Sequence, residues 1–236
     1  MILNLISGPR NISTALMYSF AQRSDTTVLD EPFYAVYLSR SKVIHPGADE
    51  VLDALSQDEV EVKRQVRHAK NTPVVFVKNM AHHMEVLGDP FIADAVNIFL
   101  IRDPKLILTS YAKVITTPVM RDIGVEYQYK LFSRLQELGH EPIVVDSGLL
   151  LENPVVVLQK LCDRCSIPFE QRMAHWPKGP KPYDGVWAKY WYANVHESTG
   201  FERQHGPGQT LPQPLYALYL EARSFYEKLL PFSLKA

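Results

Sequence analysis

The sequence predicts an α/β fold in which a parallel sheet lies between two layers of helices. Five short apolar runs have the pattern of buried strands, and stretches of helical periodicity separate most of them. Such alternation is typical of a parallel sheet flanked by helices. From residue 166 to residue 208 proline, glycine and aromatic residues dominate, which predicts an irregular covering segment near the C-terminus.

The elements can be placed along the chain in order. The predicted strands are residues 2–6, 27–29, 74–77, 96–101 and 142–145. The predicted helices are residues 13–23, 49–69, 104–114, 125–138, 153–165 and 214–230. We expect a break in the second helix near Ser56 and Glu59, which have the spacing of a capping box. Asp103 suits an N-cap, and Pro104 suits the first position of the helix that follows.

Composition limits the classes of protein. The 236 residues predict one domain, residues 1–236, and the net charge of -1 argues against a nucleic-acid partner. No run has membrane-spanning length and no leader pattern opens the chain, so we expect a cytoplasmic protein without a membrane partner. Cys162 and Cys165 form a lone C-x-x-C, which we interpret as structural thiols. Adjacent His82 and His83 lack the spacing of a helical zinc site, so no metal is expected.

The turn between the first strand and the first helix predicts an anion site. Gly8 permits a tight turn, and the N–H groups of the helix start point along the positive end of the helix dipole. Relative to the G-x-x-x-x-G-K-[ST] loop of ATPases, Thr14 replaces the lysine and Ala15 replaces the magnesium-binding hydroxyl. The cation stands at Arg10 instead, so the turn suits a phosphate but lacks two parts that ATP hydrolysis requires.

A second anion site is predicted at the end of the fourth strand. Arg102 lies at the carboxyl end of that strand, where open parallel sheets bind ligands. Ser110 and Tyr111 follow in the pattern Arg-x-Pro-x5-Ser-Tyr.

Both patterns together resemble those of the sulfotransferases, which use 3′-phosphoadenosine 5′-phosphosulfate as the sulfuryl donor. The resemblance implies a P-loop-type three-layer fold and transfer to a hydroxyl or amine of a small acceptor, without a metal. It assigns the 5′-phosphosulfate to the loop and the 3′-phosphate to Arg102 and Ser110, so that Arg10 and Arg102 hold opposite ends of one nucleotide. The implied loop residues are Pro9, Arg10, Asn11, Ile12, Ser13 and Thr14.

The resemblance also suggests the groups that carry out the transfer. Glu31, after the second strand, resembles the glutamate base of the tyrosylprotein and some bacterial sulfotransferases, which also have an arginine in the loop. His82 or His83 is the competing base, because residues 78–83 are similar to the Lys-Thr-His motif of the cytosolic enzymes with two residues inserted; we favour Glu31, with His82 next. Lys78 is a second cation that could reach the bridging oxygen. Lys189 lies in a stretch that loosely resembles the loop covering the donor, although the Arg-Lys-Gly run of the family is absent.

Two other functions stay open at this point. A P-loop small-molecule kinase would share the fold, but it would need the lysine and the magnesium ligand that the loop lacks. A non-catalytic nucleotide-binding module would keep both anion sites without a working acceptor pocket. The sequence identifies neither the acceptor nor the oligomeric state.

Overall fold

The computed structural model describes residues 1–43, 45–69, 72–87, 94–112, 115, 117–202 and 210–235. Its centre is a five-stranded sheet in the order β2-β3-β1-β4-β5. Each neighbouring pair of strands is parallel. The strands are β1 Ile2–Ser7, β2 Thr26–Asp30, β3 Val74–Met80, β4 Val96–Ile101 and β5 Ile143–Asp146. The predicted α/β fold with a parallel sheet is therefore confirmed.

Helices connect and cover the strands. In the described part of the chain they are α1 Ser13–Ala21, α2 Tyr34–Ser41, α3 Ala48–Ala54, α4 Glu59–His68, α5 Ala81–Met84, α6 Pro104–Tyr111, α7 Met120–Ile123, α8 Val125–Glu137, α9 Ser147–Glu152, α10 Pro154–Arg164, α11 Ala188–Trp191, α12 Ala193–Glu197 and α13 Tyr216–Leu229. Short 3-10 turns lie at Gln171–Ala174, Gln213–Leu215 and Leu230–Phe232. None of the helices in these ranges is long and apolar enough to cross a membrane.

Several predicted bounds need correction. The third strand continues past residue 77, because Lys78, Asn79 and Met80 keep their pairing with β1. The expected break in helix 49–69 is present and separates α3 from α4. The N-cap of α4 is Asp58 rather than Ser56, and the Asp58 side chain accepts from the N–H groups of the first turn. The predicted helix 104–114 ends at Tyr111 in α6, and residues 113 and 114 lie outside the described residues. The end of the predicted covering segment, residues 203–208, also lies outside them.

Apolar side chains fill both faces of the sheet. Along β1 the side chains alternate between the faces, with Ile2 and Ile6 in one core cluster and Leu3 and Leu5 in the other. The first cluster includes residues of α8 and α13, and the second includes residues of α1 and α10. A third cluster joins α2 to the covering segment through Tyr34, Tyr37 and Trp187. The covering segment is thus packed against α2.

The strand order places a crevice where the chain changes direction. From β1 the chain crosses to β2 at one edge of the sheet, whereas β4 leads to β5 at the other edge. Ligands of open parallel sheets bind at such a switch point, beyond the carboxyl ends of the strands. Here the two strands that flank the crevice are β1 and β4, and each is followed by one of the predicted anion sites.

Candidate functional site

The loop after β1 has an unusual backbone. Arg10 and Ile12 have φ values of 55° and 50°, in the left-handed region that glycine favours. Ile12 is the N-cap of α1, and no side chain of the described residues caps this helix start. The first N–H groups of α1 are therefore available to an external acceptor such as a phosphate oxygen.

Gly8 is required by a close backbone contact. A Cβ atom built on Gly8 would lie 2.3 Å from the carbonyl oxygen of Ile123 at the end of α7. At the neighbouring Gly124, which has a φ of 76°, a Cβ would lie 2.8 Å from the Cβ of Ala81. The loop is thus held from behind by the α7–α8 turn.

The two predicted anion sites meet in one place. Arg10 Nε donates to Ser110 Oγ at 3.0 Å, and the Arg102 guanidinium donates to the carbonyl oxygen of Arg10. Asp103 caps α6 with Pro104 at its start, as predicted, and this turn places Arg102 beside the loop. Two guanidinium groups and an uncapped helix start thus surround one site, and these hydrogen-bond donors suit the oxygens of an anion such as phosphate.

Asn11 connects the loop to β4. Its Nδ2 donates to the carbonyl oxygen of Leu100 at 2.6 Å, which fixes the side chain at the crevice. Its Oδ1 is buried and has no hydrogen-bond partner among the described residues. A buried acceptor of this kind suits a donor group on a bound molecule.

A buried ionic cluster lies at the ends of β2 and β3. Lys78 Nζ donates to Asp30 Oδ1 at 2.8 Å, to Glu31 Oε1 at 2.5 Å and to the Tyr192 hydroxyl at 2.6 Å. An ammonium group has three N–H donors, so these contacts use all of them. The Lys78 side chain is only 1% exposed. The structure therefore ties Lys78 to two carboxylates and does not present it as a free cation.

Glu31 lies between this cluster and the cavity. Its φ of 42° is left-handed, and its N–H donates to the carbonyl oxygen of Lys78 at 2.8 Å, which continues the strand pairing past Asp30. Burial raises the pKa of Glu31 to about 7; Lys78 opposes this shift and Asp30 adds to it. For Lys78 burial lowers the pKa, but Asp30 and Glu31 outweigh it and the net pKa is well above the usual range.

The histidines of α5 are buried beside Glu31. Burial, with smaller contributions from His45 and Arg121, lowers the pKa of His82 to about 3. Burial also places the pKa of His83 well below its usual range, and His83 Nδ1 lies 3.7 Å from Glu31 Oε2. That distance is too long for a hydrogen bond. Both imidazoles are therefore neutral near pH 7, and a group with so low a proton affinity is a weak general base.

One cavity of about 410 Å³ joins these groups. Its lining includes the predicted residues Pro9, Arg10, Asn11, Ile12, Ser13, Thr14, Glu31, Lys78, His82, Arg102 and Ser110. Sequence reasoning missed the part that His45, Trp187, Trp191 and Tyr192 play in the lining. The aromatic composition of the covering segment was the one signal for the last three. For His45 there was none, because its contact with the Tyr34 hydroxyl, at 2.8 Å, is tertiary.

Lys189 is the predicted site residue that the structure does not bring to the cavity. Its side chain is 58% exposed, and its Nζ contacts Glu50 at 2.7 Å on the outer surface. Lys178, in the same predicted stretch, contacts Glu197 instead. In the described part of the segment the cavity is lined instead by residues on both sides of Lys189, namely Trp187, Trp191, Tyr192, Asn194, Val195, Glu197, Ser198, Gly200, Phe201 and Glu202. The segment that the loose likeness indicated thus lines the cavity, but Lys189 does not.

The described residues contain no group of three or more histidine, cysteine, aspartate or glutamate side chains arranged to hold a metal ion. Cys162 and Cys165 are buried free thiols, and burial raises their pKa values to about 11 and about 12.

Comparisons with known proteins identify the family to which this chain belongs. A family model described as a sulfotransferase domain matches residues 1–230. Two curated Arabidopsis thaliana proteins are similar to this chain over 95% of its length: branched-chain-amino-acid aminotransferase-like protein 2, 35% identical, and protein 1, 36% identical. This chain spans only 40% and 41% of their lengths, respectively.

Two solved structures share the fold. The sulfotransferase domain from the curacin biosynthetic pathway has a TM-score of 0.55 and 16% identity, with 100% of this chain and 98% of that chain covered. The sulfotransferase domain from the Synechococcus PCC 7002 olefin synthase has a TM-score of 0.54 and 16% identity, with 99% and 96% covered.

Proposed function

Because this chain belongs to the sulfotransferase domain family, we propose that it transfers a sulfuryl group from 3′-phosphoadenosine 5′-phosphosulfate to a hydroxyl or amine of a small acceptor. The observation that carries the proposal is the meeting of Arg10, Arg102, Ser110 and the uncapped start of α1 around one cavity. This donor set suits the two anionic ends of the nucleotide.

In the proposed site the loop and α1 bind the 5′-phosphosulfate, and Arg102 with Ser110 binds the 3′-phosphate. Arg10 contacts Ser110 and carries the backbone oxygen that Arg102 binds, so it stands between the two ends. Its guanidinium would neutralise charge that develops on the sulfuryl and phosphate oxygens.

Glu31 is the proposed general base. Its Oε1 accepts from Lys78, which leaves Oε2 for the acceptor proton. The acceptor oxygen attacks sulfur as the bond from sulfur to the phosphate oxygen breaks, the proton passes to Glu31, and adenosine 3′,5′-bisphosphate leaves. A pKa near 7 suits a base that works at neutral pH, whereas His82 holds a proton too weakly.

We propose that Lys78 holds the base, Glu31, and does not contact the oxygen that bridges phosphorus and sulfur in the donor. All three of its N–H donors are used by Asp30, Glu31 and Tyr192. The acceptor would occupy the part of the cavity lined by Tyr34, His45, Tyr111 and Trp191.

Donor binding is the first test. Isothermal calorimetry with adenosine 3′,5′-bisphosphate should show binding, and AMP, which lacks the 3′-phosphate, should bind at least about tenfold more weakly. Arg102→Ala should weaken the bisphosphate but change AMP little, and Lys189→Ala is the matched control because that side chain lies outside the cavity. Equal affinities for the two nucleotides, or an unaffected Arg102→Ala variant, would contradict the proposed donor.

Transfer is the second test. A panel of hydroxyl and amine acceptors with radiolabelled donor should give sulfated product with the wild-type protein. The Glu31→Gln variant should bind adenosine 3′,5′-bisphosphate normally and transfer about 10²–10⁴-fold more slowly. Equal rates for Glu31→Gln and wild type would remove Glu31 as the base.

A further inference from the structure

Glu31 is surrounded by ionisable groups from five parts of the chain. Lys78 of β3 contacts Oε1 at 2.5 Å, and His83 of α5 lies 3.7 Å from Oε2. Tyr34 of α2 and Tyr192 of the covering segment are close enough for Glu31 to raise their pKa values, although burial is the larger cause for both. The remaining neighbour is Asp30, the last residue of β2.

Asp30 is the centre of this network. Its side chain is 1% exposed, and Oδ1 accepts from Lys78 Nζ at 2.8 Å. The Tyr192 hydroxyl lies 2.9 Å from Oδ1 and 2.8 Å from Oδ2, and the Gly185 N–H donates to Oδ2 at 3.1 Å. A buried carboxylate with this set of donors is held in one orientation.

The Tyr192 hydroxyl is itself fixed by the covering segment. It accepts from Trp187 Nε1 at 3.1 Å as well as from Lys78. Gly185 cannot carry a side chain here, because a Cβ would lie 2.1 Å from the Trp187 ring. The hydrogen bond from the Gly185 N–H to Asp30 thus depends on close packing within the covering segment.

We propose that Asp30 is a positioning residue for Glu31: it holds the Lys78 ammonium so that one N–H stays on Glu31 Oε1 and Oε2 remains available to an acceptor. The proposal rests on the proposed role of Glu31 as the base. The negative charge of Asp30 also favours the protonated form of Glu31, and so it limits how far Lys78 lowers the pKa of Glu31. Because Gly185 and Tyr192 hold Asp30, the covering segment and the base form one unit.

The proposal can be tested on the whole protein without knowing the acceptor. Carboxyl carbons are labelled with ¹³C in glutamate and aspartate, and their chemical shifts are followed by NMR as the pH is changed. The Glu31 signal is identified by its absence from the Glu31→Gln variant. In Asp30→Asn we expect the midpoint of the Glu31 transition to fall by about one pH unit, because a neighbouring negative charge is lost and Lys78 remains.

Asp184→Asn is the matched control. Asp184 lies in the covering segment and, like Asp30, is a buried carboxylate, with its side chain 5% exposed. It contacts Tyr18 at 2.7 Å and His196 at 3.0 Å instead of Lys78. We expect this variant to keep the wild-type midpoint of Glu31. A folded Asp30→Asn protein with an unchanged midpoint, or an equal shift in Asp184→Asn, would overturn the proposal.

A second measurement applies if Asp30→Asn does not fold. In the wild-type protein the Glu31 signal should titrate around the raised pKa of about 7. A Glu31 midpoint at the ordinary value of about 4.5 would mean that Asp30 does not limit the effect of Lys78, which contradicts the proposal. Calorimetry with adenosine 3′,5′-bisphosphate separates the two proposals: a shifted midpoint without nucleotide binding supports the Asp30 network and removes the proposed donor.

Discussion

Replacing Gly8 with alanine tests whether the loop is built against α7. The new Cβ would lie 2.3 Å from the Ile123 oxygen, and such contacts are essentially never shorter than 3.0 Å, so the two backbones must separate by about 0.7 Å. Overpacking of this kind costs about 1–3 kcal/mol. For a chain of 236 residues we expect the Tm to fall by about 2–12 °C.

The loop should also lose part of its fit to the nucleotide. We expect Gly8→Ala to bind adenosine 3′,5′-bisphosphate about tenfold more weakly, a loss of about 1.4 kcal/mol. Gly139→Ala is the matched control, because Gly139 has a φ of 81° and nothing within 4 Å of an added Cβ. It should lose some stability through backbone strain but keep its affinity. Scanning calorimetry and titration calorimetry measure the two effects, and a Gly8→Ala variant with wild-type Tm and affinity would refute the reasoning.

Three further predictions concern the ionic cluster and the histidines of α5. Lys78→Met should destabilise the protein by about 3–5 kcal/mol in urea unfolding, because it leaves two buried carboxylates without a counterion, whereas exposed Lys189→Met should unfold as the wild type does. Folding raises the pKa of Glu31 from 4.5 to about 7, so stability relative to Glu31→Gln should fall as the pH rises through this window; a rise would contradict the assignment. His82→Gln should retain transfer within about tenfold, since a neutral histidine contributes little as a base; a loss as large as that of Glu31→Gln would reverse the roles.

The sheet could be predicted from the sequence because buried parallel strands are continuous apolar runs. All five runs became strands, and Asp103 with Pro104 marked the start of α6 correctly. The end of β3 could not be predicted, because two of its last three residues, Lys78 and Asn79, are polar. Lys78 and Asn79 look like a loop in isolation, yet they pair with β1 and their side chains are buried in separate polar groups, Lys78 with Asp30 and Asn79 with Asn4.

Helix α2 shows a second limit. Phe33 is its N-cap and offers no side-chain oxygen, and the helix has only eight residues, so neither a cap nor a long periodic pattern marks it. It forms because Tyr34, Tyr37 and Leu38 pack against the covering segment, and that is a tertiary cause.

The residues of the candidate site also differ in how far the sequence could predict them. Arg10, Arg102 and Ser110 carry recognisable local patterns, so their meeting could be expected. The partners of Lys78 could not, because Tyr192 lies 114 residues further along the chain and no local pattern links the two. The sequence shows which side chains are ionisable, but burial and tertiary contacts decide which of them are available to contact a ligand.

The left-handed backbone of Arg10, Ile12 and Glu31 has a consequence for protein engineering. Each such residue costs about 1–3 kcal/mol relative to a relaxed conformation. A laboratory selection for heat tolerance would therefore favour glycine or asparagine at these positions, which are the ones that shape the cavity. Changes that raise stability at these three positions would alter the cavity, so libraries built for thermal stability should leave them fixed.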